Sequence, residues 1–359
     1  MRILDLFLLL FLRRIYLGVL LLSLPIREFT FFITKRIFPR NELRLSLIFL
    51  IFLILSLSFN FTKISINLVS VENAYLILGL SFLPFIPKLN ITTTAQTNIL
   101  VFGSLFTLIL ITIFPPRGLL IIMGIYSHAN NTIISILIIC YALLIKTSRL
   151  GTIFLLISGA AILLLDDQRG GYLNLLGVLI FFKLKDFKSL IKLSVIIPII
   201  MYLLLKIIPY FSGRDPSGFF LSIIFPEKYK DSYSSGAHRM MQITEGIQSI
   251  TSNWKSFLFG NGPSVQVFEG YFNDIHNGYV SFATILGVPA TVFLLYTITR
   301  ILINIRKEKP NLFSILFVCM CFDALTQTTF SSVPTASLFL YSMKQVLKTT
   351  PPSIKEMYI

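Results

Sequence analysis

The sequence is poor in charge. Asp, Glu, Lys and Arg together make up 13% of it, about half the share of an ordinary soluble domain. With mean hydropathy at +0.81, that scarcity excludes a soluble globular protein, a disordered chain and a coiled coil. Only 3 cysteines occur in 359 residues, which excludes a disulfide-stapled secreted domain. Cys140, Cys319 and Cys321 all lie inside apolar runs. The last two would point about 200° apart on a helix, as packed thiols rather than a bridge or metal site. The 3 histidines, His128, His238 and His276, show no i, i+4 pairing and no Cys or carboxylate at ligand spacing, so no metal is expected. Neither G-x-G-x-x-G nor a Walker sequence is present. A nucleotide-powered enzyme or pump is therefore disfavoured, and no cofactor is expected. A cleavable signal peptide is not expected either, because the apolar start is broken by Arg13-Arg14 and lacks a small-residue cleavage site.

What the chain has is apolar length. Hydrophobic residues make up 55% of it, in continuous runs rather than the alternating strands of a β-barrel. The fold class expected is all-α: one polytopic transmembrane domain over 1–359, with about ten or eleven spanning helices. The candidate spans are 45–60, 72–87, 98–115, 118–145, 150–166, 172–184, 193–211, 276–298, 312–330 and 334–347. Segment 118–145 is interrupted by Ser127-His128-Ala129-Asn130-Asn131, so it reads as a kinked span or two short pieces. Residues 1–26 read as either an eleventh span or an interfacial helix, since Arg13-Arg14 is costly at a bilayer centre.

Lys and Arg number 31 against 16 Asp and Glu, a net charge of +15. In a soluble protein this excess would suggest nucleic acid, but there is no basic folded domain here to bind it. The basic residues instead collect in short connections. These are Arg27 to Arg44, Lys146/Arg149, Lys183 to Lys192, Arg300 to Lys309, and Lys344, Lys348 and Lys355. Ten spans from residue 45 onward put all of them on one side, which the positive-inside rule makes cytoplasmic. The opposite, outer side receives one long connection, 212–275, with five basic and six acidic residues. Such long loops are usually functional. Within it, 236–254 reads as a helix. Met240, Ile243, Ile247, Ile250 and Trp254 form an apolar seam at spacings of 3 and 4, bordered by Arg239. Ser234 and Ser235 are candidate caps, and Phe259-Gly260-Asn261-Gly262-Pro263 is a tight turn.

The chemistry-bearing residues cluster on the outer side. Asp274-Ile275-His276-Asn277-Gly278-Tyr279-Val280 puts an imidazole where the loop enters a span, able to stay neutral near pH 7 and accept a proton. The plain alternative is a helix cap. Arg169, in the connection 166–171, lies on the same side as Arg214 and Arg239. Paired guanidinium groups suit a diphosphate, and ordinary ion pairing with Asp166, Asp167 or Asp215 is the alternative. Asp323 lies inside the apolar run 317–330, where a carboxylate either orients an arginine or His276, or packs as a hydrogen-bonded residue.

Together these elements resemble the O-antigen ligase/polymerase superfamily of bacterial polysaccharide assembly, over roughly residues 150–298. The resemblance rests on Gln168-Arg169-Gly170, the loop helix from Arg239 to Trp254, the glycine turn at 259–263, and His276-Asn277-x-Tyr279-Val280 followed by Gly287. It implies a GT-C-like, metal-independent, inverting glycosyltransferase of the bacterial inner membrane, working at the periplasmic face on a glycan carried by undecaprenyl diphosphate. Developing negative charge on the leaving group needs fixed cations, for which Arg169, Arg214 and Arg239 are the candidates. His276 is the candidate base, and Asn277 or Asp274 could orient it. Tyr279, Asp323, Trp254 and His238 are further candidates for contact with substrate. The implied partners are lipid-linked oligosaccharide donor and acceptor, membrane lipid, a flippase and a chain-length regulator. The absence of a large soluble C-terminal domain weighs against a protein-glycosylating branch. Between the other two, the expectation is a polymerase, which extends a lipid-linked repeat, ahead of a ligase to lipid A–core. The rival from another class is a lipid-linked glycan transporter. That reading predicts charges along the centres of several spans and an inverted repeat.

Overall fold

The structure is a computed structural model. It describes residues 10, 40–61, 68–86, 91–113, 128–145, 147–165, 169–183, 234–262, 277–326 and 333–347. Among them the chain is all-helical, with no strand. In chain order the helices are α1 (Arg40–Phe59), α2 (Leu68–Ser81), α3 (Thr93–Ile113), α4 (His128–Leu144), α5 (Arg149–Leu165) and α6 (Arg169–Lys183). They continue with α7 (Ser234–Thr251), α8 (Trp254–Phe259), α9 (Gly278–Leu286), α10 (Val288–Lys307), α11 (Leu312–Thr326) and α12 (Val333–Val346). A short 3-10 turn, Leu83–Phe85, follows α2. Among the described residues three helices are long and apolar enough to cross a membrane, within α1, α3 and α10, and shorter apolar helices lie within α4, α5, α6 and α11.

The core lies between α4, α11 and α12, which carry most of the fully buried side chains, among them Tyr141, Phe317 and Phe339. Small residues let these helices approach. A Cβ added at Gly159 of α5 would lie 2.7 Å from Ile139 Cγ1 on α4, the close packing expected of apolar helices. Helix α11 packs on α4, α6 and α12, and α12 packs on α2.

One end of the bundle is tied by charge. Lys344 on the last turn of α12 forms a buried ion pair with Glu42 in the first turn of α1, and donates to Pro84 O in the 3-10 turn at 3.1 Å. Sequence reading assigns Lys344 to a solvated basic tail, whereas the side chain is buried. Two residues 302 positions apart meet because α1 and α12 run in opposite directions side by side with α2. Their meeting puts the start of α1 and the end of α12 at the same end of the bundle.

Several expected boundaries change. The stretch 276–298 is not one helix. Gly287, with φ 89° and ψ 171°, ends α9 and starts α10, and Pro289 sits in the first turn of α10. Proline lacks an N–H and fits a first turn, so Gly287-Val288-Pro289 breaks the run despite its uniform hydropathy. The helix long and apolar enough to span is Val288–Lys307, which absorbs Arg300 and Arg306, and α9 is a separate, buried half-helix. The loop helix expected at 236–254 stops at Thr251. Asn253 then caps a second helix, its side chain accepting from Ser256 N at 2.9 Å. Of 118–145, 128–144 is helical and 114–127 lies outside the described residues, as do 193–211, 212–233 and all of 1–26 except Leu10.

Candidate functional site

The opposite end of the bundle gathers polar groups from α6, α7, α9 and α11. Helix α9 begins there. Asn277 is its cap, and its Oδ1 accepts from Tyr279 N at 3.1 Å and Val280 N at 3.0 Å, satisfying two of the N–H groups that a helix start leaves unpaired. Its Nδ2 donates to Leu325 O, 3.1 Å away in the last turn of α11. One turn deeper, the Tyr279 hydroxyl donates to Cys321 O at 3.1 Å. Helix α9 is thus pinned to α11 at two levels. The carboxamide of Asn277 is bonded to backbone at both its oxygen and its nitrogen.

Asp323 of α11 is 1% exposed. A carboxylate there is tolerable only with partners. Asn174 of α6 supplies one, its Nδ2 donating to Asp323 Oδ1 at 3.2 Å. Arg239 of α7 supplies a charge. Burial pushes the Arg239 guanidinium below its ordinary pKa and the Asp323 carboxylate pushes it back up. A guanidinium stays protonated in either case, so Arg239 is a fixed cation.

The packed face of α7 is turned slightly from the expected seam, toward Arg239. Of the expected seam, Ile250 is buried and Met240 and Ile243 are half-buried, whereas Ile247 is 48% and Trp254 62% exposed. Gln242, Gly246 and Ile250 are buried and Arg239 is half-buried. These residues recur at spacings of 3 and 4, one side of the helix, and α7 lays that side on α9. Ile250 belongs to both the expected seam and the buried stripe, which also carries Arg239 and Gln242.

The glycine turn and Gly287 form one joint. Asn261 N donates to Thr284 O at 2.7 Å, Gly262 N to Ile285 O at 3.2 Å, and Ser56 Oγ to Ile285 O at 2.9 Å. These donors satisfy carbonyls that the end of α9 would otherwise leave unpaired. Asn60 Nδ2 of α1 donates to Gly260 O at 3.3 Å, and Phe59 stacks on Phe259 with ring centroids 3.9 Å apart. A Cβ at Gly260 would lie 2.3 Å from Ile285 O, and one at Gly287 2.4 Å from Leu258 O. Two backbones touch here, with positive φ at both residues, which only glycine accommodates.

The other expected site residues divide as follows. Arg169 opens α6, five residues before Asn174, and His238 lies in α7 next to Arg239. Their side chains are outside the described residues, as are Arg214 and His276 altogether. Trp254 starts α8 and is exposed, and Lys255 Nζ lies 5.8 Å from its ring centroid. Asn174 escapes a reading by motif, although a lone amide inside the apolar run 172–184 is itself a signal. Among the described residues no three His, Cys, Asp or Glu side chains group to hold a metal, and the three cysteines are buried and free.

No protein-family model matches the chain, and none of the curated proteins matches it.

Proposed function

We propose that the chain is a polytopic glycosyltransferase of the bacterial inner membrane, of the polysaccharide-polymerase type, with its site at the periplasmic face. It transfers a glycan from undecaprenyl diphosphate to a sugar hydroxyl of a second lipid-linked repeat unit. The observation that carries this reading is Arg239. A polar helix outside the apolar runs, α7, packs on α9 and carries the half-buried Arg239 guanidinium, which the charge of buried Asp323 influences, and the cap of α9 directly follows His276 in the chain. A cation, a neutral base and apolar walls at one end of a bundle are what a lipid diphosphate donor needs.

The reaction needs few parts. The acceptor hydroxyl oxygen attacks the anomeric carbon from the face opposite the leaving group, and the bond to the diphosphate oxygen breaks with inversion. His276 takes the hydroxyl proton. The electron pair leaves with undecaprenyl diphosphate, whose added charge falls to Arg239, and to Arg169 and Arg214 in the same proposal. The diphosphate is already a good leaving group, so no strong acid is required. The transporter reading needs charges along the centres of several spans. Among the described residues the buried charges are Glu42, Lys344 and Asp323, and the first two neutralise each other at the far end.

The test uses purified protein in nanodiscs with lipid-linked repeat units extracted from a strain deleted for the gene. Wild type should give a ladder of lengthening chains, and His276→Ala and Arg239→Ala should give none while remaining folded and membrane-inserted. Full activity of His276→Ala would remove it as base. In the deletion strain, single repeats on the surface acceptor mean polymerase. Long chains stranded on the lipid carrier mean ligase and overturn the polymerase assignment.

A further inference from the structure

We infer that α8 is an interfacial helix that beds Trp254, Phe257 and Leu258 into the lipid surface beside α1 and α10. Facing water, this helix would be inside out. Its buried residue is Ser256, whereas Trp254, Phe257 and Leu258 are all exposed. At about 100° per residue the three apolar side chains fall within an arc of about 100°, and Ser256 lies opposite them. Lys255 flanks the arc, its Nζ 5.8 Å from the Trp254 ring centroid. A lysine so placed lays its stem on apolar surface and keeps its ammonium at the headgroups. Polar side chains hold this orientation from the inner side. Asn253 caps the helix, Ser256 Oγ donates to Asn261 Oδ1 at 2.7 Å, and Asn261 Nδ2 donates to Ser249 Oγ of α7 at 2.8 Å. A helix of 6 residues has little strength of its own, so these bonds and the joint at Gly260 and Gly287 keep the apolar arc turned outward.

The neighbours of α8 say what covers the arc. It packs on α1 and α10, two of the helices long and apolar enough to cross a membrane. It lies where α1 ends and α10 begins. Phe259 stacks on Phe59 in the last turn of α1, and Leu258 O lies against Gly287, the residue that starts α10. Ile51, Leu55 and Phe59 are exposed at every fourth position of α1, an apolar stripe that leads to α8. A bilayer crossed by α1 and α10 has its boundary at the level of α8, the depth at which tryptophan and lysine sit together. Charge favours lipid over a second copy of the chain. Lys255 meets phosphate headgroups there, whereas a twofold contact through so small a patch would bring two lysines together. The surface is independent of the reaction proposed above, because it follows from where α1 and α10 end.

Trp254 is the one tryptophan of the chain, so its emission reports on this helix alone. The experiment uses the full-length protein, one copy per nanodisc, in phospholipid brominated either near the glycerol end or near the methyl end of its acyl chains. Trp254 emission should be blue-shifted and weakly quenched by acrylamide. The shallow bromines should quench it more than the deep ones, as for a face lying about 5–10 Å into the boundary of headgroups and acyl chains. Phe257→Glu should shift the emission to the red and reduce quenching by lipid. If Phe257→Glu does not purify folded, Phe257→Gln takes its place. Emission like that of tryptophan in water, with strong acrylamide quenching and none by lipid, would overturn the inference, as would a Phe257→Glu protein indistinguishable from wild type. A blue shift that appears only with two copies per nanodisc would assign the face to a second copy instead. Lipid quenching relieved by added undecaprenyl diphosphate would assign it to an isoprenoid tail, and either result overturns the bilayer as occupant.

Discussion

Replacing Gly287 by alanine tests the joint that sets the lower end of α9. In most loops a Gly→Ala change at a compatible site stabilises by about 0.4–1 kcal/mol, because it restricts the unfolded chain. Here the sign should reverse. At φ 89° and ψ 171° the backbone lies in a region nearly reserved for glycine, with a strain of about 1–3 kcal/mol for other residues. The new Cβ would also stand 2.4 Å from Leu258 O and 2.8 Å from Phe259 N. These are backbone atoms, so no side chain can swing aside, and α8 must lift away from α9. The bonds from Asn261 N and Gly262 N to the last carbonyls of α9 would stretch or break, each at about 0.5–1.5 kcal/mol. The sum is a loss of about 3–5 kcal/mol, or roughly 6–10 °C in Tm for a chain of this length. Trp254 is the one tryptophan of the chain and opens the helix that ends at the joint, so its emission during heating in nanodiscs reads the event locally. Gly151→Ala, in the first turn of α5, should be neutral or stabilising. Combined with Gly260→Ala, Gly287→Ala should cost less than the two losses added, since one opened joint accommodates both methyl groups. A Gly287→Ala variant within about 0.5 kcal/mol of wild type would refute the reasoning, since that is the range of an ordinary surface substitution.

The remaining predictions concern the ion pair, two hydroxyls and Arg239. Glu42→Gln or Lys344→Met alone should destabilise by about 3–5 kcal/mol, and the apolar pair Glu42→Leu with Lys344→Met should recover most of it, measured by thermal unfolding; equal losses in the single and double variants would refute this. Ser46 Oγ is buried without a hydrogen-bond partner, whereas Ser56 Oγ donates to Ile285 O. Ser46→Ala should therefore be neutral or stabilising, and Ser56→Ala should cost about 1 kcal/mol. Arg239→Lys should bind undecaprenyl diphosphate more weakly, and should lose more of that binding as pH rises. A lysine starts near about 10.4, and the burial that lowers the Arg239 pKa would lower it further, so the charge is present at low pH and lost on raising it. Binding by wild type should stay flat over the same range at this residue, and a parallel alkaline loss in both proteins would assign the titration elsewhere.

Composition alone determined that the chain is helical. At 13% charge and with apolar runs this long, helices are the form that satisfies backbone N–H and C=O groups internally, and the described residues are all-helical. The loop helix and the glycine turn were legible for a similar reason, since capping residues, periodicity and Gly-x-Gly act within a few residues of themselves. The break at Gly287-Val288-Pro289 was written locally as well, but a hydropathy sum does not see it. Tertiary structure alone decided which residues meet. Asn174 with Asp323 and Glu42 with Lys344 are pairs 149 and 302 residues apart, and nothing in either neighbourhood names the partner. It also decided which stripe of α7 is buried. A periodicity reading ranks stripes by apolarity, whereas this helix buries Gln242 and Gly246 together with Ile250 where it packs on α9. Apolar burial is non-directional and can be summed along a chain, but a buried charge is tolerated only opposite a specific partner, and only the folded chain supplies that partner.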